Sequence, residues 1–187
     1  MTRFVLIRHG ETDWNKEGRY QGHTDVPLNA KGREQAEAMA EALKNRPLQA
    51  IYASDLQRAR DTAEILAAAT GAPMHVDPRL REIDLGEWEG RLSADIQKTD
   101  MDLLTRRRVD PLDTFPPGGE GVRQVMARVV PLLDEIARRH PDSRVALVSH
   151  GTTLAAVKVH LLHLPLESIW DREPGNAAVE EIAVEAA

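Results

Sequence analysis

Two histidines, each followed by glycine, stand at the ends of two strand-like segments that lie far apart in the chain. His9 follows the apolar run Phe4–Ile7 and then Arg8, and His150 follows the apolar run 145–148. Parallel strands place the residues after their carboxyl ends at one edge of a sheet, so the two imidazoles share a crevice if these strands are neighbours. An imidazole can act as a nucleophile or an acid–base group, and a guanidinium binds anions. Two such histidines point to chemistry on an anion more than to packing.

A phosphoryl group fits this set of residues. Arg58 lies in the first turn of the helix predicted after Ser54, where backbone N–H groups and the helix dipole favour anions. The helix predicted after Gly151 offers a second such N-terminus. Arginines, histidines and helix N-termini that converge on one point can bind a phosphoryl group without a metal.

Proton transfer to a leaving alkoxide also requires a carboxylate, because the other groups are cationic or already committed. Glu82 is the best-placed candidate, since it lies in the loop after the third predicted strand and has apolar neighbours. Spacing alone does not select it over Asp84, Glu87 or Glu11.

The hydrophobic pattern that must position these residues alternates between strands and helices. Besides the two strands that end at the histidines, it predicts strands at 50–53, 74–76 and 178–184. The predicted helices run from Asn29 to about Leu43, from a capping box at 54–57 to Gly71, from about 92 to 107, from 122 to 140 with Pro131 inside it, and from about 152 to 162.

This alternation predicts an α/β fold, a three-layer α/β/α sandwich whose mainly parallel sheet carries one antiparallel edge strand. We expect residues 1–187 to form a single domain. The less regular segment 91–119 is the expected substrate-specificity or cap segment.

Composition restricts the classes of partner and location. The 187 residues carry a formal net charge of −6, which argues against wholesale binding to nucleic acid or to anionic membranes. No apolar stretch is long enough to span a bilayer, and we expect no signal peptide, because residues 1–3 run directly into the first predicted strand. The chain has 0 cysteines, which excludes disulfides and thiolate metal sites and fits the cytoplasm, where we expect the protein. A homodimer is compatible with the sequence, which does not determine the oligomeric state.

Segment 6–15, Leu-Ile-Arg-His-Gly-Glu-Thr-Asp-Trp-Asn, resembles the signature of the histidine phosphatase superfamily, the phosphoglycerate-mutase-like fold. The resemblance covers essentially the whole chain and continues in order through six further blocks: 21–22, 27–29, 52–59, 80–82, 117–120 and 148–151. The Arg-His-Gly motif alone is short, whereas the ordered blocks together make the similarity specific.

The resemblance implies a two-step phosphoryl transfer that uses no metal and no cofactor. His9 would attack phosphorus and form a phosphohistidine, Arg8, Arg58 and His150 would surround the phosphoryl oxygens, and Glu82 would protonate the departing oxygen and then activate water. By the same resemblance, further residues would bind a small phosphorylated metabolite: Asn15, Gln21, Gly22 and Gly151.

Departures from the family pattern favour one branch. The mutase branch usually has Arg-His-Tyr after its catalytic glutamate and a longer insertion, whereas here Ile-Asp-Leu follows Glu82 and the chain is short. We therefore predict a metal-independent phosphatase of the small phosphatase branch, which hydrolyses small phosphomonoesters. A phosphoglycerate-mutase-type isomerase is the alternative; a binding module without turnover and a metal-dependent hydrolase are disfavoured.

The basic run Arg106–Arg108 has two interpretations. It could meet a second anionic group of the substrate, or it could be a solvated helix face, which is the commoner role of such a run. The sequence favours the solvated face.

Overall fold

The computed structural model describes residues 1–184, which form a five-stranded sheet in the order β3-β2-β4-β1-β5. The strands are β1 (Thr2–Arg8), β2 (Ala50–Ala53), β3 (Met74–Val76), β4 (Arg144–Ser149) and β5 (Val179–Val184). The neighbours β3-β2, β2-β4 and β4-β1 pair in parallel, and β5 pairs antiparallel with β1. The predicted sheet with one antiparallel edge strand is confirmed.

Helices cover both faces of the sheet. They are α1 (Asp13–Glu17), α2 (Ala30–Leu43), α3 (Gln57–Thr70), α4 (Ser93–Thr99), α5 (Met101–Val109), α6 (Val122–Arg139) and α7 (Gly151–Leu161). Side chains alternate across a strand, so Phe4 and Leu6 of β1 pack with α6 and α7, whereas Val5 and Ile7 pack with α2 and α3. The two resulting apolar cores confirm the three-layer sandwich.

The register of β1 and β4 brings the ends of these two strands together. They are adjacent and parallel, with Arg8 opposite Ser149. The backbone N–H of His9 donates to the carbonyl of Ser149 at 3.0 Å. His9 and His150 therefore emerge side by side at the carboxyl edge of the sheet, as the sequence predicts for neighbouring strands.

The start of α3 differs from the predicted capping box. The helix begins at Gln57, and its N-cap is the apolar Leu56. Ser54 lies too early to cap it; its hydroxyl accepts from the N–H of Leu56 and contacts His150. The predicted capping box is therefore wrong, because the Ser54 hydroxyl contacts His150 of the site and does not cap the helix.

The segment expected to be irregular contains two short helices. In place of one helix over 92–107, α4 and α5 follow each other and are separated at Asp100. A third apolar cluster, which includes Trp88 and Ile96, packs this region against α6 and α7. The segment thereby stands beside the carboxyl edge of the sheet. Within residues 1–184, none of the helices has the length and apolar character needed to cross a membrane.

Candidate active site

A cavity of about 530 Å³ opens at the carboxyl edge of the sheet. Seven of the nine residues that the sequence nominates contribute to its lining: Arg8, His9, Asn15, Gln21, Gly22, Arg58 and Glu82. The other two, His150 and Gly151, lie directly behind the wall. The ring centroid of His150 is 5.1 Å from that of His9, and the backbone of Gly151 passes beside the guanidinium of Arg8.

His9 presents a neutral imidazole with a defined tautomer. Its Nδ1 lies 2.7 Å from the carbonyl oxygen of Gly10. A carbonyl only accepts, so Nδ1 carries the proton and Nε2 keeps its lone pair. Burial, followed by the positive charges of Arg58 and Arg8, holds the pKa of His9 well below its ordinary value. These are the properties that a histidine nucleophile requires.

His150 is completely buried beside His9. Its Nε2 lies 2.9 Å from the Ser54 hydroxyl oxygen. Burial first, and then the charge of Arg58, lowers its pKa well below the ordinary value. Its Nδ1 is buried and has no hydrogen-bond partner within the described chain.

Two guanidinium groups enclose this end of the cavity. Arg58 is 1% exposed and donates from Nη1 to the carbonyl of Thr24 and from Nη2 to that of Gly22, at 2.9 and 2.8 Å. Burial lowers its pKa to about 10, so it remains a cation at neutral pH. Arg8 donates from Nη1 to the carbonyl of Pro174. Backbone carbonyls neutralise no charge, and both cations therefore act on whatever occupies the cavity.

The two helix N-termini have a different use from the one expected. At the start of α7, the N–H groups of Thr152 and Thr153 donate to the Glu82 carboxylate at 3.2 and 3.1 Å. At the start of α3, the N–H of Gln57 donates to Asp25. The expectation that these N–H groups bind the phosphoryl group directly is wrong here, because carboxylates of the protein already occupy them.

The same hydrogen bonds distinguish Glu82 from the other candidate carboxylates. Glu82 lines the cavity, whereas Glu11 pairs with Asn29 and Lys31, Asp84 accepts from the N–H of Gly86, and Glu87 is exposed. Among the four, Glu82 is the carboxylate that can reach a substrate.

A half-buried arginine of α6 fixes the loop that carries Glu82. Arg128 donates to the carbonyls of Arg79, Arg81 and Glu82 at 2.6 to 2.9 Å. It also pairs with Glu120 at 2.7 Å. Three carbonyls bound by one guanidinium define the path of segment 79–82 and hence the position of the carboxylate.

Glu89 has a similar role for the loop that lines the cavity near Arg58. Its carboxylate accepts from the N–H groups of His23 and Thr24 at 2.7 and 2.9 Å. Gly22 has a φ of +52°, and a Cβ on it would lie 2.0 Å from Glu89 Oε1. Only glycine fits this close approach, which places the carbonyl of Gly22 against Arg58.

The amide residues of the cavity wall are linked through Thr12. Its hydroxyl lies 2.9 Å from Gln21 Oε1 and 3.1 Å from Asn15 Oδ1. Asn176 adds a further hydrogen bond to Asn15 and one to the carbonyl of His9, both at 3.2 Å. The network holds the Asn15 amide group at the cavity.

Sequence reasoning missed Arg128, Glu89 and Asn176. A signal existed for Asn176: it lies two residues before the predicted antiparallel edge strand 178–184, and such a strand must begin beside the end of its partner. For Arg128 and Glu89 the sequence gives no comparable signal, because their partners are backbone groups of distant segments.

The far wall of the cavity includes Arg107, Arg108, Trp170 and Glu173. Arg107 is buried and its Cζ lies 4.3 Å from the ring centroid of Trp170, whereas Arg106 is exposed. The solvated-face interpretation is correct for Arg106 and wrong for Arg107.

Comparison with known proteins places this geometry in a family. The sequence profile of the histidine phosphatase superfamily, branch 1, matches residues 4–187. The chain belongs to the histidine phosphatase superfamily. The predictions of family, fold and enzyme class are thereby confirmed.

Individual relatives in the superfamily agree with this assignment. The chain is 39% identical over 192 residues to the glucosyl-3-phosphoglycerate phosphatase of Mycolicibacterium vanbaalenii, covering 97% of this chain and 84% of that protein. It is 34% identical over 185 residues to phosphoserine phosphatase 1 of Hydrogenobacter thermophilus, covering 99% and 88%. The structure of a mycobacterial glucosyl-3-phosphoglycerate phosphatase with VO3 superposes with a TM-score of 0.88 at 40% identity, covering 97% of this chain and 92% of that one.

Proposed function

We propose that this histidine phosphatase hydrolyses small phosphomonoesters without a metal, through a phosphohistidine formed on His9. The observation that carries the proposal is the neutral imidazole of His9, which keeps its Nε2 lone pair in a cavity whose lining also includes Arg8, Arg58 and Glu82. A nucleophile, an anion site and a proton donor are the three components that such a transfer needs.

In the first step, Nε2 of His9 attacks phosphorus, and the bond from phosphorus to the ester oxygen breaks. Glu82, in its protonated form, transfers a proton to that oxygen and the alcohol departs. In the second step the Glu82 carboxylate removes a proton from water, whose oxygen attacks the phosphohistidine. The P–N bond breaks, inorganic phosphate forms, and His9 and the protonated Glu82 are restored.

The cations stabilise the charge that builds up on the phosphoryl oxygens. Arg8 and Arg58 enclose the reacting end of the cavity, and His150 lies directly behind His9. Because carbonyls and not carboxylates hold both guanidinium groups, their charge acts on the transferring group. Asn15, Gln21 and Gly22 complete the wall, and Gly151 lies next to Arg8 and Glu173, where a Cβ would be 3.1 Å from Glu173 Oε2.

The natural substrate is proposed to be a small phosphorylated metabolite. The relatives include named phosphatases for glucosyl-3-phosphoglycerate and phosphoserine, and also probable phosphoglycerate mutases. Hydrolysis is favoured over isomerisation because of the short chain and the residues that follow Glu82. We further propose that the chain forms a single domain in the cytoplasm and that 91–119 is its specificity segment. We propose no nucleic-acid partner. A homodimer is compatible with the sequence, and the mass of the protein in solution would test it.

The decisive experiment traps the intermediate. Wild-type enzyme mixed with a radiolabelled phosphomonoester and quenched in alkali should retain label that acid removes, the behaviour of a phosphoramidate. H9A should retain none and should lose turnover of a chromogenic aryl phosphate. H75A, at an exposed histidine of the edge strand β3, is the matched control and should label normally. Label that persists in H9A would assign the nucleophile elsewhere.

Two further measurements separate the alternatives. A chelator should leave the rate unchanged and vanadate should inhibit, whereas a metal-dependent hydrolase would respond to the chelator. Products from a phosphoglycerate substrate should be free phosphate and the alcohol; a phosphate moved to another hydroxyl would indicate the isomerase.

A further inference from the structure

The hydrogen bonds of Glu82 favour the charged form of its side chain. The two carboxylate oxygens accept from three backbone N–H groups, those of Ile83, Thr152 and Thr153, at 2.9 to 3.2 Å. The last two belong to the first turn of α7, where the helix dipole also stabilises an anion. The proposed acid step, however, begins with a proton on this carboxyl group. The site therefore needs a further group that favours retention of a proton there.

A second carboxylate meets the N-terminus of the same helix. Glu173 lines the cavity together with Glu82, and its side chain is open to the cavity. Thr152 binds both carboxylates: its backbone N–H donates to Glu82 Oε2 at 3.2 Å, and its hydroxyl donates to Glu173 Oε1 at 2.8 Å. A Cβ on Gly151 would lie 3.1 Å from Glu173 Oε2, so this oxygen lies against the backbone of α7. The start of α7 thus holds two carboxyl groups beside each other.

The groups that face Glu173 act on its charge in opposite directions. Partial removal from water and then the negative charge of Glu82 disfavour the ionised form. The hydrogen bond from Thr152 and the positive charges of Arg8 in β1 and Arg107 in α5 favour it. The first two effects are the larger, and the pKa of Glu173 is raised. Because the repulsion between two carboxylates is mutual and one proton removes it, the pair binds that proton more tightly than either group would alone.

We propose that Glu173 is a positioning residue for the acid step: Glu82 and Glu173 hold one proton between them in the free enzyme, and Glu82 delivers it. The proposal rests on the phosphatase function proposed above and deepens it. In the first step the bond from phosphorus to the ester oxygen breaks, and the shared proton passes from Glu82 to that oxygen. Both carboxyl groups are then ionised, which prepares Glu82 to remove a proton from water in the second step. That proton restores the pair when the P–N bond breaks.

E173Q tests the pair through the pH dependence of kcat/KM. The amide keeps an oxygen that can accept from the Thr152 hydroxyl, but it carries no charge and no exchangeable acid proton. Two substrates are compared from about pH 5 to about pH 9: β-glycerophosphate, whose alkoxide needs a proton as it departs, and p-nitrophenyl phosphate, whose leaving group needs none. The titration of the substrates themselves is the same for every variant, so it cancels in the comparison.

With the alkyl ester, the pH above which kcat/KM falls should be lower in E173Q than in the wild type by about one pH unit or more, the effect of one nearby unit charge. Above that pH the alkyl ester should therefore lose about tenfold or more in kcat/KM. The aryl profile should keep its position on the pH axis. E167Q, at an exposed glutamate, is the matched control and should follow the wild type with both esters. An unchanged alkyl profile in E173Q, or an equal displacement for both esters, overturns the proposal.

A titration without turnover distinguishes a shared proton from one that Glu173 holds alone. Carbon NMR of the glutamate carboxyl groups should show Glu173, assigned through its backbone, titrating at higher pH than the exposed Glu167. E82Q should move this titration to lower pH by about one unit or more, because it removes the neighbouring charge. If the titration is the same in E82Q, the proton is not shared and the proposal is overturned. This measurement decides even if E173Q does not fold.

Failure of the proposed function gives a different result. The wild type would then hydrolyse neither ester, or H9A would match it. Failure of the pair leaves hydrolysis by the wild type and its dependence on His9 intact, and it removes only the difference between the two esters in E173Q.

Discussion

Thr153 holds Glu82 at the N-terminus of α7: its backbone N–H donates to Oε1 at 3.1 Å, and its hydroxyl oxygen lies 3.4 Å from the same atom. The hydroxyl donates to the carbonyl of Arg81 at 2.7 Å. The helix that follows one catalytic strand therefore positions the carboxylate supplied by a different loop. His150 lies one residue before α7, so the start of this helix adjoins His150 and also binds Glu82, the proposed proton donor.

The loss of rate caused by substitution of Glu82 should depend on the leaving group of the substrate. E82Q should lower kcat about 10²- to 10⁴-fold for an alkyl phosphate, whose alkoxide needs a proton as it departs. With an aryl phosphate of low leaving-group pKa, the rate of the first step, phosphoryl transfer to the enzyme, should be much less affected. A pre-steady-state burst measures this rate. E87Q, at an exposed carboxylate in the same segment, should behave like the wild type. Equal losses for both esters would remove Glu82 from the role of acid.

Removal of Arg128 should affect both stability and rate. R128Q leaves three backbone carbonyls and Glu120 without their partner, so we expect a loss of about 2–4 kcal/mol in the free energy of unfolding. Displacement of Glu82 should lower kcat about tenfold or more with little change in KM. Urea unfolding and steady-state kinetics test both.

The control for Arg128 is R138Q on the same helix, since Arg138 is exposed and its Nε donates to the carbonyl of Asp134 within the same helix. It should cost less than about 0.5 kcal/mol. If R128Q changes KM and not kcat, Arg128 contributes to substrate binding and not to positioning.

The glycine that faces Glu89 should not tolerate a methyl group. G22A combines a φ of +52° with a Cβ 2.0 Å from Glu89 Oε1 and 2.9 Å from the N of Leu85. Gly18 has a φ of +72° with open space around it, so G18A should cost only the backbone strain of about 1 kcal/mol. G22A should cost more, and because its carbonyl holds Arg58 it should also lower kcat/KM about tenfold or more. Equal effects of the two substitutions would disprove the close-approach argument.

The two buried histidines should make the folded state sensitive to mild acid. The pKa values of His9 and His150 in the folded protein lie well below 6.5, so below that pH the unfolded chain binds protons that the folded chain does not. Stability is therefore fully present above about pH 6.5 and falls as the pH decreases, by about 1.4 kcal/mol per pH unit for each histidine.

Urea unfolding at about pH 7.5 and about pH 5.5 measures this slope. H150N should reduce the difference in the free energy of unfolding between the two pH values by the contribution of one histidine. Glu173, whose pKa is raised, acts in the opposite sense but equally in both proteins, so it cancels in the comparison. An unchanged slope in H150N would mean that His150 is protonated in the folded state.

The sequence by itself determined the layers of the fold and the pairing of His9 with His150. Alternating apolar runs specified β1, β4 and the helices between them, because burial of a period-2 or period-3.6 pattern is a local property. If β1 and β4 are parallel neighbours, His9 and His150 must emerge at the same edge of the sheet.

Only the tertiary structure decided which polar groups meet. Spacing alone does not select Glu82 over Asp84, Glu87 or Glu11, since the position of its carboxylate depends on N–H groups of a helix far along the chain. Arg107 is buried and Arg106 is exposed, because Trp170, from a distant segment of the chain, packs against the guanidinium of Arg107. Hydrogen bonds and ion pairs are directional and unite segments of any separation, so a one-dimensional pattern cannot assign their partners.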